Sequence, residues 1–212
     1  MNLLFYDTET SGLPIWDRRS DHPSQPRIVE IAAELTDGQG KMISMMSALI
    51  KPDGWSIGAD AIKLHGIEND YAREHGMPIA DAMNVFMDMQ ERAGMRIAHN
   101  QAFDERMVRI ELIRLFDREV ADVWKEEGQK FCTMHSAKST VGATNDKGGI
   151  KTPTLAEAYT YFTHQESEQD HRALGDLLMC KAVYFGLLRY SEEHPQEEET
   201  AADMPLFEAS EI

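Results

Sequence analysis

Two carboxylates, Asp7 and Glu9, stand two residues apart at the end of the apolar run Leu3-Leu4-Phe5-Tyr6. If that run is a strand, its period of two points both side chains to one face. At ~4 Å two such charges repel by ~1 kcal/mol in water and ~4 kcal/mol at an effective dielectric of 20, so a buried pair requires a cation or a shared proton. Taken alone, the spacing more commonly marks a strand that has ended with both groups in water. A second group, His99-Asn100-Gln101-Ala102-Phe103-Asp104, runs from a strand end into a helix whose first turn holds Asp104. A helix N-terminus stabilises a carboxylate there whether or not it binds anything. A third group, His171-Arg172-Ala173-Leu174-Gly175-Asp176, opens another helix with Asp170 as its N-cap. Five helical residues turn through about 140°, so Asp176 faces the sheet while His171 approaches from the helix entrance or the preceding loop, where a movable proton acceptor could sit.

The elements that must position these groups are readable as periodicities. Leu3 to Thr8 reads as a buried strand stopped by Gly12-Leu13-Pro14; Arg27 to Thr36 and Lys41 to Lys51 read as two more, joined by the hairpin signal Asp37-Gly38-Gln39-Gly40. Ala59 to Leu64 predicts a short helix, and Pro78 opens a longer one through Ala82, Val85, Phe86 and Met89 that Gly94 closes. Met95 to Ala98 predicts a fourth strand and Phe131-Cys132 a short fifth. Phe103, Met107, Ile110 and Ile113 fall at helical spacing, as do Leu174, Leu177, Leu178 and Val183 to Leu188. Asn145 to Pro153 reads as a Gly-rich, basic-leaning loop. Three strands followed by helices alternating with single strands imply an α/β domain with a mixed sheet.

Composition narrows the class. The 212 residues, 42% hydrophobic and 27% charged, suit one domain with a full core, residues 1–190, followed by a tail. Two cysteines, Cys132 and Cys180, argue against a disulfide framework and a structural zinc site and favour a reducing, cytoplasmic compartment. The opening Met1-Asn2-Leu3-Leu4 lacks a basic region and meets Asp7 too soon for a signal peptide, and the longest uncharged apolar stretch, Met42 to Ile50, is too short for a membrane span. The formal charge of -16 has the wrong sign for a broad basic nucleic-acid grip, yet half of it comes from eight acidic residues in positions 191–212, where Lys and Arg are absent. With Pro195, Pro205 and little to bury, 191–212 reads as a solvated tail.

Taken together, Asp7-Thr8-Glu9-Thr10-Ser11-Gly12-Leu13, His99-Asn100-x-x-Phe103-Asp104 and His171-x-Ala173-x-x-Asp176 resemble, in order and separation, the three motifs of the DEDDh 3′-to-5′ exonucleases of the DnaQ-like group. Arg27-Ile28-Val29-Glu30-Ile31-Ala32, Leu64-His65-Gly66-Ile67 and Phe131-Cys132-Thr133-Met134 match the supporting context, and the resemblance spans roughly residues 3 to 188. It implies a ribonuclease H-like fold with a five-stranded mixed sheet flanked by helices. It also implies two Mg²⁺ or Mn²⁺ ions held by Asp7, Glu9, Asp104 and Asp176, and His171 as the base that takes a proton from the attacking water. Hard oxygen donors suit such cations, and imidazole exchanges its proton near neutral pH. The family's tyrosine branch places Tyr four residues before the last Asp; Arg172 stands there, so this chain follows the histidine branch. Thr8, Thr10, Leu13, His65, Asn100 and Phe103 are the implied contacts to the terminal nucleotide, although Thr8 and Thr10 also fit ordinary turn residues and His65 a helix cap. The implied reaction releases nucleoside monophosphates from DNA 3′ ends, most simply single strands, in proofreading, repair or phage-type replication. An exoribonuclease of the same fold or an idle module that binds a polymerase or clamp is the alternative.

Other features carry weaker expectations. Trp16 lies in a connection, Pro14 to Arg27, longer than this family's usual turn; it either stacks on a base or, the commoner role, anchors its own loop. Arg106, Arg109, Arg114 and Arg118 read as mostly solvated, which leaves the Lys138 to Lys151 loop as the basic surface for a strand. Met42 to Met46 reads as core filler. In the tail, Asp203-Met204-Pro205-Leu206-Phe207 resembles the sliding-clamp-binding pentapeptide, with Asp203 departing from its usual Gln.

Overall fold

A computed structural model describes residues 1–167 and 171–195. Five strands, β1 (Leu3–Thr10), β2 (Ile28–Thr36), β3 (Met42–Leu49), β4 (Met95–Ala98) and β5 (Gln129–Cys132), form one sheet in the order β3-β2-β1-β4-β5. The first three pair antiparallel, β1 and β2 across the long 11–27 connection and β2 and β3 through a tight turn, while β4 joins parallel to β1 and β5 parallel to β4 through helical crossovers. This is the expected five-stranded mixed sheet. Strand β1 alternates strictly, as a central strand buried on both faces must. Leu4 and Tyr6 pack under α3 (Ile79–Glu91), α4 (Gln101–Leu115) and α5 (Arg118–Glu126), whereas Leu3 and Phe5 pack under α8 (Leu155–Thr163) and α9 (Ala173–Glu193). The short helices α1 (Ala59–His65) and α2 (Asn69–His75) close a third cluster around Val29, Ile57 and Ile67, and α6 (Thr133–Ser136) and α7 (Lys138–Val141) follow β5. No helix among the described residues is long and apolar enough to cross a membrane.

Helix α9 is fixed to the sheet by two ion pairs in register. Glu30 and Glu34 of β2 are almost fully buried; Glu30 accepts from Arg172 at 2.5 and 3.0 Å, and Glu34 accepts from Lys181 at 2.6 Å. Nine helical residues rise about 13.5 Å and four strand residues about 13 Å, so the two pairs match only if α9 runs along β2. Glu30 also accepts from the backbone N–H of Ala173, the first residue of α9. Arg172 therefore occupies the N-cap position expected for Asp170, which lies outside the described residues. The helix continues through Glu193, so 191–193 are helical, beyond the expected boundary at 190. The Asp203 to Phe207 pentapeptide also lies outside the described residues.

Two readings of the sequence are corrected. Strand β3 is a sheet edge, and it leaves Met42, Ile43 and Met45 exposed while Met46 packs on the core, so the methionines are not core filler as a group. The four arginines are not solvated either. Arg106, Arg109, Arg114 and Arg118 pin the 14–27 connection to α4 and α5: Arg106 donates to the carbonyls of Ile15 and Arg18, and Arg109 to Ser20 Oγ at 2.6 Å. Arg114 donates to the carbonyls of Gln25 and Pro26, and Arg118 to Asp21. Within the loop the buried Gln25 side chain accepts from Ile15 N–H and donates to the carbonyls of Ile15, Arg18 and Arg19. Gln25 is thus the anchor, and Trp16 is left 59% exposed.

Beneath this loop the fully buried Glu111 accepts from Arg27 at 2.8 and 3.1 Å, from Arg114 at 3.1 Å and from Ile28 N–H at 3.3 Å. Removing it strands two guanidinium groups. Glu111→Ala is expected to cost about 3–5 kcal/mol, read as a lower urea midpoint at unchanged slope. An unchanged midpoint would show that the pairs only break even with hydration.

Candidate active site

The alternation of β1 explains how four distant carboxylates converge. Asp7 and Glu9 continue the Leu3–Phe5 face and look toward α9, where one oxygen of each lies within 4.8 Å of an oxygen of Asp176 and of the other. Thr8 points to the opposite face, toward α4. There Asp104 Oδ1 accepts both the Thr8 N–H at 3.0 Å and the Thr8 hydroxyl at 2.8 Å. Asp104 can reach back because Asn100 takes the left-handed conformation (φ 64°), which turns the chain from β4 directly into α4. Asn tolerates that region better than most residues. A register irregularity between Glu9 and Thr10 ends the regular pairing at the site, where Glu9 lies opposite Glu30.

Electrostatics makes the cluster incomplete without a cation. Burial, followed by repulsion from Asp176, Glu30 and Asp104, pushes Glu9 up to about 8. Burial likewise raises Asp104 to about 7 despite the two bonds from Thr8, and burial and then Asp104, Asp176 and Glu9 hold Asp7 well above the carboxylate range. Asp7 and Glu9 make no ion pair among the described residues, and hard oxygen donors this close to one another and to Asp176 suit a divalent ion.

The carboxylates open into a cavity of about 750 Å³. Asp7, Thr8, Glu9, Thr10, Leu13, Asn100, Phe103, Asp104 and Asp176 all line it, together with the α1 face from Gly58 to Ala61 and Leu64, which the sequence did not single out. Leu13, 80% exposed, stands at its mouth. The Thr10 hydroxyl donates to Gly12 O at 2.8 Å and so shapes the turn below Leu13. His65, the last residue of α1, is not on the wall: it is buried, and its Nδ1 accepts the Ile67 N–H at 3.0 Å, the capping role.

His99 also lines the cavity but does not serve as a base. Its Nε2 faces Pro153 O at 3.3 Å, which can only accept, so Nε2 carries the proton and Nδ1 accepts from Thr133 Oγ1 at 2.9 Å. Burial drops its pKa to about 4, and the ring stays neutral and structural. His171 stands at the entrance of α9, half-buried, in the left-handed region at φ 51°. That conformation costs an ordinary residue about 1–2 kcal/mol, and the adjoining Arg172–Glu30 pair holds the backbone that carries it. Glu30 and Arg172 were missed as site residues, although a carboxylate inside the apolar run Ile28-Val29-Glu30-Ile31-Ala32 signals a buried partner.

A family model described as Exonuclease matches residues 4–184. The chain belongs to the exonuclease family. No curated protein matches this chain. Among solved structures it is similar to E. coli exonuclease I in complex with an oligonucleotide (19% identity, TM-score 0.67), over 95% of this chain and 45% of that one. It is also similar to the zinc-bound complex of E. coli exonuclease I with single-stranded DNA (19%, TM-score 0.69, 95% and 44%) and to exonuclease I of Methylocaldum szegediense (21%, TM-score 0.67, 92% and 41%). These likenesses show the shared ribonuclease H-like fold, and this chain spans less than half the length of those chains.

Proposed function

We propose that the protein is a divalent-metal-dependent 3′-to-5′ exonuclease that releases nucleoside monophosphates from the 3′ ends of single-stranded DNA. The observation that carries this reading is the convergence of Asp7, Glu9, Asp104 and Asp176 on one cavity, of a size suited to small ligands, roughly 300–1,000 Å³. Asp7, Glu9 and Asp176 would hold one Mg²⁺ or Mn²⁺, with Asp104 beside Asp7 serving a second. Such ions neutralise the cluster and stabilise charge on the attacking and leaving oxygens of a phosphodiester. His171 accepts a proton on an imidazole nitrogen from the attacking water, the role that His99 is too weakly basic to fill. Leu13 and Phe103 offer apolar surface to the terminal base, and Asn100 and the backbone of Thr8 to Thr10 line the sugar-phosphate path. Exonuclease I structures with bound oligonucleotide or single-stranded DNA support a single strand as substrate.

The test is a time course on 5′-labelled DNA and RNA oligomers, paired and unpaired, with Mg²⁺, Mn²⁺ or chelator. The expected result is a ladder shortening from the 3′ end of unpaired DNA, with mononucleotide product and no cleavage in chelator. Internal cuts, or degradation that survives chelation, would overturn the proposal.

A further inference from the structure

We infer that Trp16 and Arg106 form a subsite for the strand just outside the cavity, with Trp16 stacking on a nucleobase and Arg106 meeting a backbone phosphate. This rests on the proposed exonuclease reading and adds to it a contact that the 14–27 connection supplies.

Three observations carry it. The connection is held rigidly by the Gln25 side chain and by four arginines, yet it displays its largest side chain, Trp16, 59% exposed. A rigid loop that keeps an indole in water presents a preformed stacking face at little entropic cost. Second, Arg106 is the exception among the arginines that hold the loop. Arg109 pairs with Asp122, Arg114 with Glu111 and Arg118 with Asp21, whereas no carboxylate pairs with Arg106 among the described residues. Its guanidinium lies 5.7 Å from the Trp16 ring centre and donates through Nη2 only to the neutral carbonyls of Ile15 and Arg18, while its buried Nε has no hydrogen-bond acceptor. In a chain of charge -16, a cation with no acidic partner beside the site is an unusual local feature, and a phosphate is the anion that the substrate brings. Third, the pair adjoins the cavity along both chains: Trp16 is three residues beyond Leu13, and Arg106 is three residues, one helical turn, beyond Phe103, and both of those residues line the cavity wall.

A strand whose terminal base lies between Leu13 and Phe103 would reach this platform with a preceding nucleotide. Affinity for a long strand then depends on Trp16 while the chemistry of the terminal nucleotide does not.

Hydrolysis of a single-stranded oligothymidylate is compared with that of the p-nitrophenyl ester of thymidine 5′-monophosphate, which has no preceding nucleotide. Trp16→Ala is expected to raise KM for the oligomer roughly 10-fold, to leave the ester kinetics unchanged, and to be largely rescued in Trp16→Phe. Arg106→Gln is expected to lower the log–log salt slope of oligomer binding by about 0.7, the share of one phosphate contact on a single strand. Fluorescence quenching by oligothymidylate in chelator, taken as the difference between wild type and Trp16→Phe, reads the stacking without any cleavage. An unchanged oligomer KM in Trp16→Ala, or no quenching difference, overturns the subsite and leaves the exonuclease reading intact. A wild type that quenches but cleaves neither substrate overturns the exonuclease reading and keeps the strand contact.

Discussion

Asp7→Asn is expected to give a protein that degrades no DNA and yet melts higher than the wild type when both are metal-free. Burial, and then repulsion from Asp104, Asp176, Glu9 and Glu30, disfavour a charge on Asp7, so removing that charge relieves the desolvation and all four repulsions at once. Loss of one close repulsion is worth on the order of 2 kcal/mol at a partly buried site, which for a domain of this size is about 4–8 °C in Tm. The activity loss should be about 10²–10³-fold, the cost of removing one preorganised electrostatic group from a site that stabilises transition-state charge. Calorimetry in chelator at pH 8, alongside oligomer hydrolysis, checks both halves. At pH 5, where the wild-type cluster already holds protons, the stability gain should largely vanish. An Asp7→Asn protein that is less stable than wild type at pH 8 would mean that Asp7 is a structural hydrogen-bond acceptor and not a strained ligand.

The second large effect is the pH dependence of metal stabilisation. Glu9 is raised from 4.5 to about 8 and Asp104 from 3.8 to about 7. Between about pH 4 and pH 8 the folded, metal-free protein therefore holds protons that the unfolded chain has released, and stability falls as pH rises through that window. Each proton so held costs about 1.4 kcal/mol per pH unit, so several kcal/mol are at stake above pH 8. A divalent cation competes for the same oxygens and gains as they ionise. The difference in Tm between millimolar Mn²⁺ and chelator should accordingly be small at pH 5, grow steadily to pH 8 and flatten above it. Glu9→Gln should reduce that growth. A difference independent of pH would place the ion away from these carboxylates.

Much of this was legible in the sequence because it is local. The period of two in Leu3-Leu4-Phe5-Tyr6 put Asp7 and Glu9 on one face, and the hairpin residues Asp37 to Gly40 set the β2–β3 turn, where Asp37 Oδ1 accepts the N–H groups of Gln39 and Lys41. Strand β4 was read to the residue, and β5 nearly so. Helices α2, α5, α6, α7 and α8 went unread. Asp117 capping Val120 N–H, and Thr154 with Glu157 forming a capping box, were available signals for α5 and α8.

What only the tertiary structure decided depends on which segments become neighbours. Arg172 meets Glu30 across 142 positions, Arg27 meets Glu111 across 84, and Arg106 reaches Arg18 O across 88; no period in a chain reveals such pairings, because they follow from strand order. The same holds for the neutral His99, the covered His65 and the exposed Trp16, whose burial is a property of the packed neighbours. The residues fixed which groups could hold a metal, since that is a matter of atom type. Their raised pKa values, the neutrality of His99 and the exposure of Trp16 came from the packing, because desolvation and Coulomb repulsion depend on distance in space and not along the chain.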